Sequence, residues 1–351
     1  MRVVVTGGGG FIGSQLVRTL ARRPRLEWKD RGPVDIDQIV AADIHLPESV
    51  RSLPSDLVTC VQADLSDQDV IDNLVGRDDE LCLFHLAAIV SGDGERDFDL
   101  AMRVNFDGTR RLLDACRLRK GPRARVVFAS SLAVYGGGDV PPVISDATKP
   151  LPQTTYGMTK LVGELLINDY SRRGFLDGRA VRLPTIFIRP GKPNAALSSF
   201  ASGLFREPIN GQSFDLPVSR QQGVPLLGYR KVVDAFVKTM ECDAAASLGD
   251  DRTITLPSRQ YVIGEMIVSL EKVAAERGIS LGPIIDCPDP DVINVVSQWP
   301  TGTKADRAES IGITADDSIE AVIHNYLDDF VTRPEFSSDA TPTSPEPTQK
   351  P

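Results

Sequence analysis

Tyr156 and Lys160 stand four residues apart in YGMTK, within a stretch (156–173) whose apolar spacing predicts a helix. Residues i and i+4 share one helical face. An ammonium group beside a phenol favours the phenolate and lowers a pKa that starts near ~10. Tyr156 is therefore a candidate general acid/base near neutral pH. Lys160 is placed to assist it. Such a pair is common on helix surfaces, so its weight comes from what precedes it. SSLAVYG (130–136) leaves an apolar run at 125–129 and so lies at the carboxyl end of a strand. Ligands of open α/β sheets bind at that end.

A second chemistry is written at the N-terminus. Thr6-Gly7-Gly8-Gly9-Gly10-Phe11-Ile12-Gly13 follows the short run Val3 to Val5 and opens a helical pattern over 11–22. Gly7, Gly10 and Gly13 serve, in turn, a tight strand-to-helix turn, close approach of backbone to a pyrophosphate, and close helix–strand packing. The helix N-terminus faces the anion. Asp43 ends the next strand, where a carboxylate accepts hydrogen bonds from an adenosine ribose and repels a 2′-phosphate. It therefore favours NAD over NADP. Its distance of 30 residues from Gly13 exceeds the usual ~20, and the polar stretch 22–37 is expected to house the excess. Asp64 ends a third strand, where it can meet the adenine edge.

These groups need a sheet to hold them. Short apolar runs at 38–42, 58–61, 81–86, 125–129 and 180–183 alternate with helical patterns such as 101–117 and 156–173. Strands alternating with helices imply right-handed βαβ units and a parallel sheet. After Pro184 the pattern loosens into a Gly-, Pro- and Ser-rich segment (189–227). Helices are then expected near 230–241, 264–276 and 318–330, with a strand at 253–256. The last residues (334–351) hold five prolines in 18 positions and are expected to form a disordered tail.

Composition bounds the partners. Lys and Arg total 39 against 48 Asp and Glu, a net charge of −9, which argues against nucleic acid and membrane surfaces. Removing the tail (Glu335, Asp339 and Glu346 against Lys350, net −2) leaves −7 on the body. Recognition of an anion must then come from a few local cations. Cys60, Cys82, Cys116, Cys242 and Cys287 form no CxxC pair, and the three histidines are scattered, so neither disulfides nor a metal site is expected. No signal peptide or spanning segment is visible, and a cytoplasmic setting is the default.

Taken together, TGGGGFIG (6–13), Asp43, Asp64-Leu65, HLAA (85–88), the Asn105 of NFDGT, SSLAVYG (130–136) and YGMTK (156–160) resemble the extended short-chain dehydrogenase/reductases, the NAD-dependent epimerase/dehydratase family. The resemblance spans residues 1 to about 330. It implies a Rossmann-type doubly wound parallel sheet with a smaller C-terminal substrate lobe. The nucleotide domain would cover 1–188, with 228–260 returning to it, and the lobe 189–227 and 261–330. It further implies NAD bound by Gly7, Gly10, Phe11, Ile12, Gly13, Asp43, Asp64, Leu65, Ala87, Asn105, Tyr156, Lys160 and Pro184. Catalysis would fall to Ser131, Tyr156 and Lys160, with Asn105 supporting the lysine through water and His85 in the cofactor wall. Relatives of this architecture often dimerise through helices at 101–117 and 156–173, so a homodimer is possible.

The second half narrows the reading. Segments 90–105, 170–186, 189–203 and SQWP (297–300) resemble the D-erythronate dehydrogenase group, which oxidises the 2-hydroxyl of a four-carbon sugar acid with NAD. Where nucleotide-sugar epimerases have an Asn-rich substrate loop, this chain has RPGKPN (189–194). A sugar-acid carboxylate needs a cationic or amide partner. Arg189, Lys192, Asn194 and Arg206 are candidates, with Asn194, Ser91, Ser131 and Tyr156 the expected substrate contacts. A nucleotide-sugar epimerase or dehydratase with tightly held NAD, a dehydrogenase of another polyol acid, and a non-catalytic NAD sensor remain as competing readings. Intact Ser131, Tyr156 and Lys160 argue against the last.

Overall fold

The computed structural model describes residues 1–76, 78–192 and 198–332. Seven strands form the central sheet: β1 (Arg2–Thr6), β2 (Gln38–Asp43), β3 (Val58–Gln62), β4 (Leu81–His85), β5 (Arg125–Ser131), β6 (Asp177–Leu183) and β7 (Thr253–Thr255). Their order is β7-β6-β5-β4-β1-β2-β3, and every pairing is parallel. The chain moves outward from β1 to β3 and then restarts on the other side at β4. The β1–β4 border is thus the topological switch point, where a ligand crevice opens beyond the strand ends.

Both faces of the sheet are covered, so its central strands carry apolar side chains on both sides rather than alternating. In β1, Val3 and Val5 enter one core cluster and Val4 the other. The first cluster takes Leu16, Val17 and Leu20 of α1 (Phe11–Arg22) and Phe236 of the helix Tyr229–Glu241. The opposite one takes Leu112 and Leu113 of the helix Thr109–Leu118.

A third cluster surrounds a smaller sheet, in which Gly223–Gly228 pairs in parallel with Thr185–Phe187 and antiparallel with Arg259–Val262. The helices Ser199–Ile209, Ile263–Arg277 and Ile319–Tyr326 pack around it. The smaller sheet therefore begins at Thr185, directly after Pro184, ahead of the expected border at 188. Pro184 has no N–H to extend the pairing of β6.

The polar stretch 22–37 contains an antiparallel hairpin, Arg25–Trp28 with Gly32–Asp35, that buries Leu26 and Trp28. The helix expected over 101–117 is present but begins as Phe98–Ala101 and passes through a π-helical stretch, Met102–Gly108, before Thr109–Leu118. The tail (334–351) lies outside the described residues. Among the described residues no helix is long and apolar enough to cross a membrane.

Candidate active site

The glycine loop turns sharply out of β1. Gly7 has a φ of 74°, in the left-handed region that favours glycine, and a Cβ there would come within 2.6 Å of the Ala87 nitrogen. A Cβ on Gly13 would lie 2.0 Å from the Gly7 carbonyl oxygen, so α1 can approach the loop only without one. Gly10 caps α1 with no side-chain acceptor, which leaves the first-turn N–H groups facing the crevice. The Asp43 carboxylate accepts the Gly9 N–H at 3.0 Å and the His45 N–H at 3.2 Å, so it is held at the loop's edge. This arrangement fits a dinucleotide: a backbone cradle that side chains would fill, with a carboxylate beside it. Gly13→Ala should weaken NADH binding by ~10- to ~100-fold, since overpacking here costs about 1–3 kcal/mol. Unchanged affinity in a fluorescence titration would refute the cradle.

Behind the cradle, buried His85 bridges Thr6 Oγ1 (2.7 Å, Nδ1) and Thr109 Oγ1 (2.9 Å, Nε2). Burial first, and the Lys160 charge second, lower its pKa to about 3. It is a neutral brace between β1 and the helix Thr109–Leu118. Buried Asn105, in the π-helical stretch, accepts the Ile89 N–H (2.7 Å) and donates to the Ile89 carbonyl (3.0 Å). It also reaches Thr159, the neighbour of Lys160, at 3.5 Å. Leu65 is buried, whereas Asp64 is exposed and accepts the Ser66 N–H.

The acid/base groups sit on α2 (Thr155–Arg172). Thr154 Oγ1 accepts the Gly157 N–H at 3.0 Å, and Glu95 Oε1 accepts the Thr155 N–H at 2.7 Å. The first turn, and Tyr156 with it, is thereby tied down from two sides. Lys160 Nζ lies 5.6 Å from the Tyr156 ring centroid and donates to the Ala129 carbonyl at 2.8 Å. Burial lowers the Lys160 pKa to about 7, with Glu164 opposing. Burial also raises the Tyr156 pKa, with the Ser131 hydroxyl pulling it back. The spacing predicts a tyrosine made acidic by its lysine. In the fold, desolvation of the phenol dominates instead, and the group that opposes it is the Ser131 hydroxyl.

A buried charged network locks this region together. Glu164 receives a two-pronged bond from Arg182 of β6 (2.9 and 2.6 Å) and the Ser130 hydroxyl of β5 (2.5 Å), and Arg182 also donates to Tyr135 Oη (2.5 Å). Burial works against the Arg182 charge, but Glu164 more than offsets it and its pKa is raised.

One cavity of about 550 Å³ opens beside these elements, and Ser91, Ser131, Tyr156, Pro184 and Phe11 all line it. Ser131 ends β5, and Ser91 begins the short helix Ser91–Arg96. Of the described residues that line the cavity, Arg189 alone is charged. Arg206 is instead buried behind the wall, donating to Glu207 and to the Arg189 carbonyl at 3.1 Å. Lys192 is exposed, and Asn194 lies outside the described residues. The reading of residue types overlooked Tyr135, Gln298 and Trp299, which also line the cavity. Only the SQWP resemblance pointed towards the last two.

A sequence model of the NAD-dependent epimerase/dehydratase family matches residues 3–255. A D-erythronate dehydrogenase of Cupriavidus necator is 44% identical over 330 residues, covering 94% of this chain and 98% of that protein. A second D-erythronate dehydrogenase, from Haemophilus influenzae, is 38% identical over 328 residues, covering 93% and 99%. Among solved structures, one described as a nucleoside-diphosphate-sugar epimerase from Agrobacterium tumefaciens aligns over 95% of each chain, with a TM-score of 0.83 and 37% identity.

Proposed function

Because the chain belongs to the NAD-dependent epimerase/dehydratase family, we propose that it is an NAD-dependent dehydrogenase that oxidises the 2-hydroxyl of a short sugar acid, D-erythronate to 2-dehydro-D-erythronate. Two relatives named D-erythronate dehydrogenase, similar along nearly their whole length, support the substrate. The observation that carries the reading is one cavity where an acid/base tyrosine, a serine hydroxyl and a single arginine converge.

Gly7 to Gly13 and α1 hold the pyrophosphate, and Asp43 selects the ribose of NAD. Bound NAD supplies the hydride acceptor. Tyr156, as phenolate, takes the proton of the substrate hydroxyl. Ser131 donates to the same oxygen and fixes it near Tyr156. Lys160 holds the nicotinamide ribose, and the Ser131 hydroxyl offsets part of the desolvation of the phenolate. Arg189 binds the carboxylate with charge-assisted hydrogen bonds. The division of labour follows the two parts of the fold: the central sheet carries cofactor and acid/base groups, and the smaller sheet with its helices carries the substrate end.

The test is NADH formation across four- to six-carbon aldonates; inactivity on every 2-hydroxy acid would refute the reading. Arg189→Gln should raise the KM for D-erythronate by ~10- to ~100-fold, the loss of about 1.5–3 kcal/mol of charged hydrogen bonding. An unchanged KM would remove Arg189 from the site. A second reading, a nucleotide-sugar epimerase, draws on the name of the Agrobacterium relative. It predicts nucleotide-sugar turnover without net NADH, and steady NADH formation from D-erythronate excludes it.

A further inference from the structure

One wall of the cavity comes from a segment that neither the glycine loop nor the Tyr–Lys pair requires. The helix Pro290–Val296 starts at Asp289, whose Oδ1 accepts the Asp291 N–H at 2.9 Å and the Val292 N–H at 3.4 Å. It ends in a turn that brings Gln298, Trp299 and Pro300 to the cavity.

This turn is pinned at both ends. Upstream, Val296 is buried in the core of the smaller sheet. The N–H groups of Ser297, Gln298 and Trp299 donate to Ile293 (2.9 Å), Val295 (3.2 Å) and Val296 (3.1 Å) carbonyls. Downstream, Thr301 gives its N–H (2.6 Å) and its hydroxyl (2.9 Å) to the Pro142 carbonyl. Gly302–Lys304 then pairs in parallel with Val143–Ser145. Gly136, Gly137 and Val140, just ahead of that strand, line the same cavity. The strap 297–300 therefore joins the substrate side of the fold to the loop that follows β5.

Trp299 is also held from behind. Its ring stacks on Phe200, at the start of the helix Ser199–Ile209, with centroids 6.5 Å apart and planes 22° apart. A stacked indole on a backbone fixed at both ends is a stiff wall with a large apolar face. A stiff wall discriminates by size, because neither it nor a longer ligand can yield cheaply.

We propose that Trp299 is the specificity-determining residue for chain length: the substrate carbons beyond the reacting centre run towards the indole, which accepts a four-carbon acid and turns away longer ones. The C–H faces of the short chain lie against the ring, while its hydroxyls turn to the polar lining. This rests on the sugar-acid reading proposed above. Rejection of an extra group by a packed wall is worth ~10- to ~200-fold.

The experiment measures kcat/KM for D-erythronate and for five- and six-carbon aldonates in the wild type, Trp299→Ala and Trp299→Phe, with NADH binding as the folding control. Trp299→Ala should raise the six-carbon to four-carbon ratio at least ~10-fold. Trp299→Phe keeps a ring on Phe200 and should stay within ~3-fold of the wild-type ratio. A Trp299→Ala enzyme that binds NADH, oxidises D-erythronate and keeps the wild-type ratio overturns the wall alone. A wild type inactive on every aldonate overturns the sugar-acid reading, and the wall with it. If Trp299→Ala fails to bind NADH, Trp299→Leu takes its place and must shift the ratio in the same direction; an unchanged ratio there overturns the proposal equally.

Discussion

Tyr156→Phe should cut kcat by ~10²- to ~10⁴-fold, the range that positioned proton transfer contributes. The substitution removes one oxygen and keeps the ring. The two hydrogen bonds that fix the first turn of α2, from Thr154 and Glu95, involve backbone N–H groups and survive it. NADH affinity and melting temperature should therefore remain near wild type, and the loss should appear in turnover. Two features make the effect large. Among the described residues lining the cavity the only other phenol is Tyr135, and its hydroxyl is engaged by Arg182. Lys160, one turn along, has its ammonium on the Ala129 carbonyl. Steady-state rates on D-erythronate provide the check. A Tyr156→Phe enzyme within ~10-fold of wild-type kcat would leave the tyrosine without its proposed role.

Glu164→Gln should be the most destabilising conservative change near the site. Glu164 and Arg182 are both buried, and their pairing is two-pronged. Removing one charge leaves the Arg182 guanidinium buried without its counter-ion, at a cost of about 3–5 kcal/mol. The amide still occupies the space, so the loss is electrostatic rather than a cavity. Calorimetry should show the melting temperature falling by ~5–15 °C. The double variant Glu164→Gln/Arg182→Met removes both charges and should recover much of that loss, because the desolvation cost of the orphaned cation disappears. Full stability in Glu164→Gln, or no recovery in the double variant, would mean that the pair carries little net charge energy. Turnover should suffer as well, since the network joins Ser130, next to Ser131, to α2 and to β6 just before Pro184.

Much of the framework is legible in the order of residues. Apolar runs mark most strands of the central sheet, because a strand covered on both faces is mainly apolar; the exceptions, such as buried Arg179 and Arg182 in β6, are paired. The helix α1 is bounded at 11–22 by the glycine before it and by Arg23-Pro24 after it. Elements with weaker local signals are not legible. The hairpin Arg25–Trp28 with Gly32–Asp35 lies in a polar stretch, and its burial comes from Leu26 and Trp28 packing into the core on α1's side of the sheet. Gly223–Gly228 carries a proline at its centre and becomes a strand only through neighbours on both sides.

The site divides in the same way. The sequence by itself determined the groups whose spacing is local: the glycine loop, where successive backbone positions form the cradle, and the tyrosine and lysine one helical turn apart. It determined too that the chain carries an excess of acidic groups, a net charge of −9, so that any anion would have to be met by a few local cations. The tertiary structure alone decided which of the candidate cations lines the cavity. Arg189 and Arg206 are equal candidates by type and by segment, yet one lines the cavity while the other is paired beneath it. It also decided the state of the tyrosine–lysine pair. Spacing can bring two groups together, but desolvation depends on everything packed around them, and here it pushes Tyr156 up and Lys160 down. Trp299 belongs to this second class, since it lies 143 positions from Tyr156 along the chain (299 − 156) and the two share one cavity. Contacts of that range are set by the whole fold, because no local periodicity relates residues so far apart.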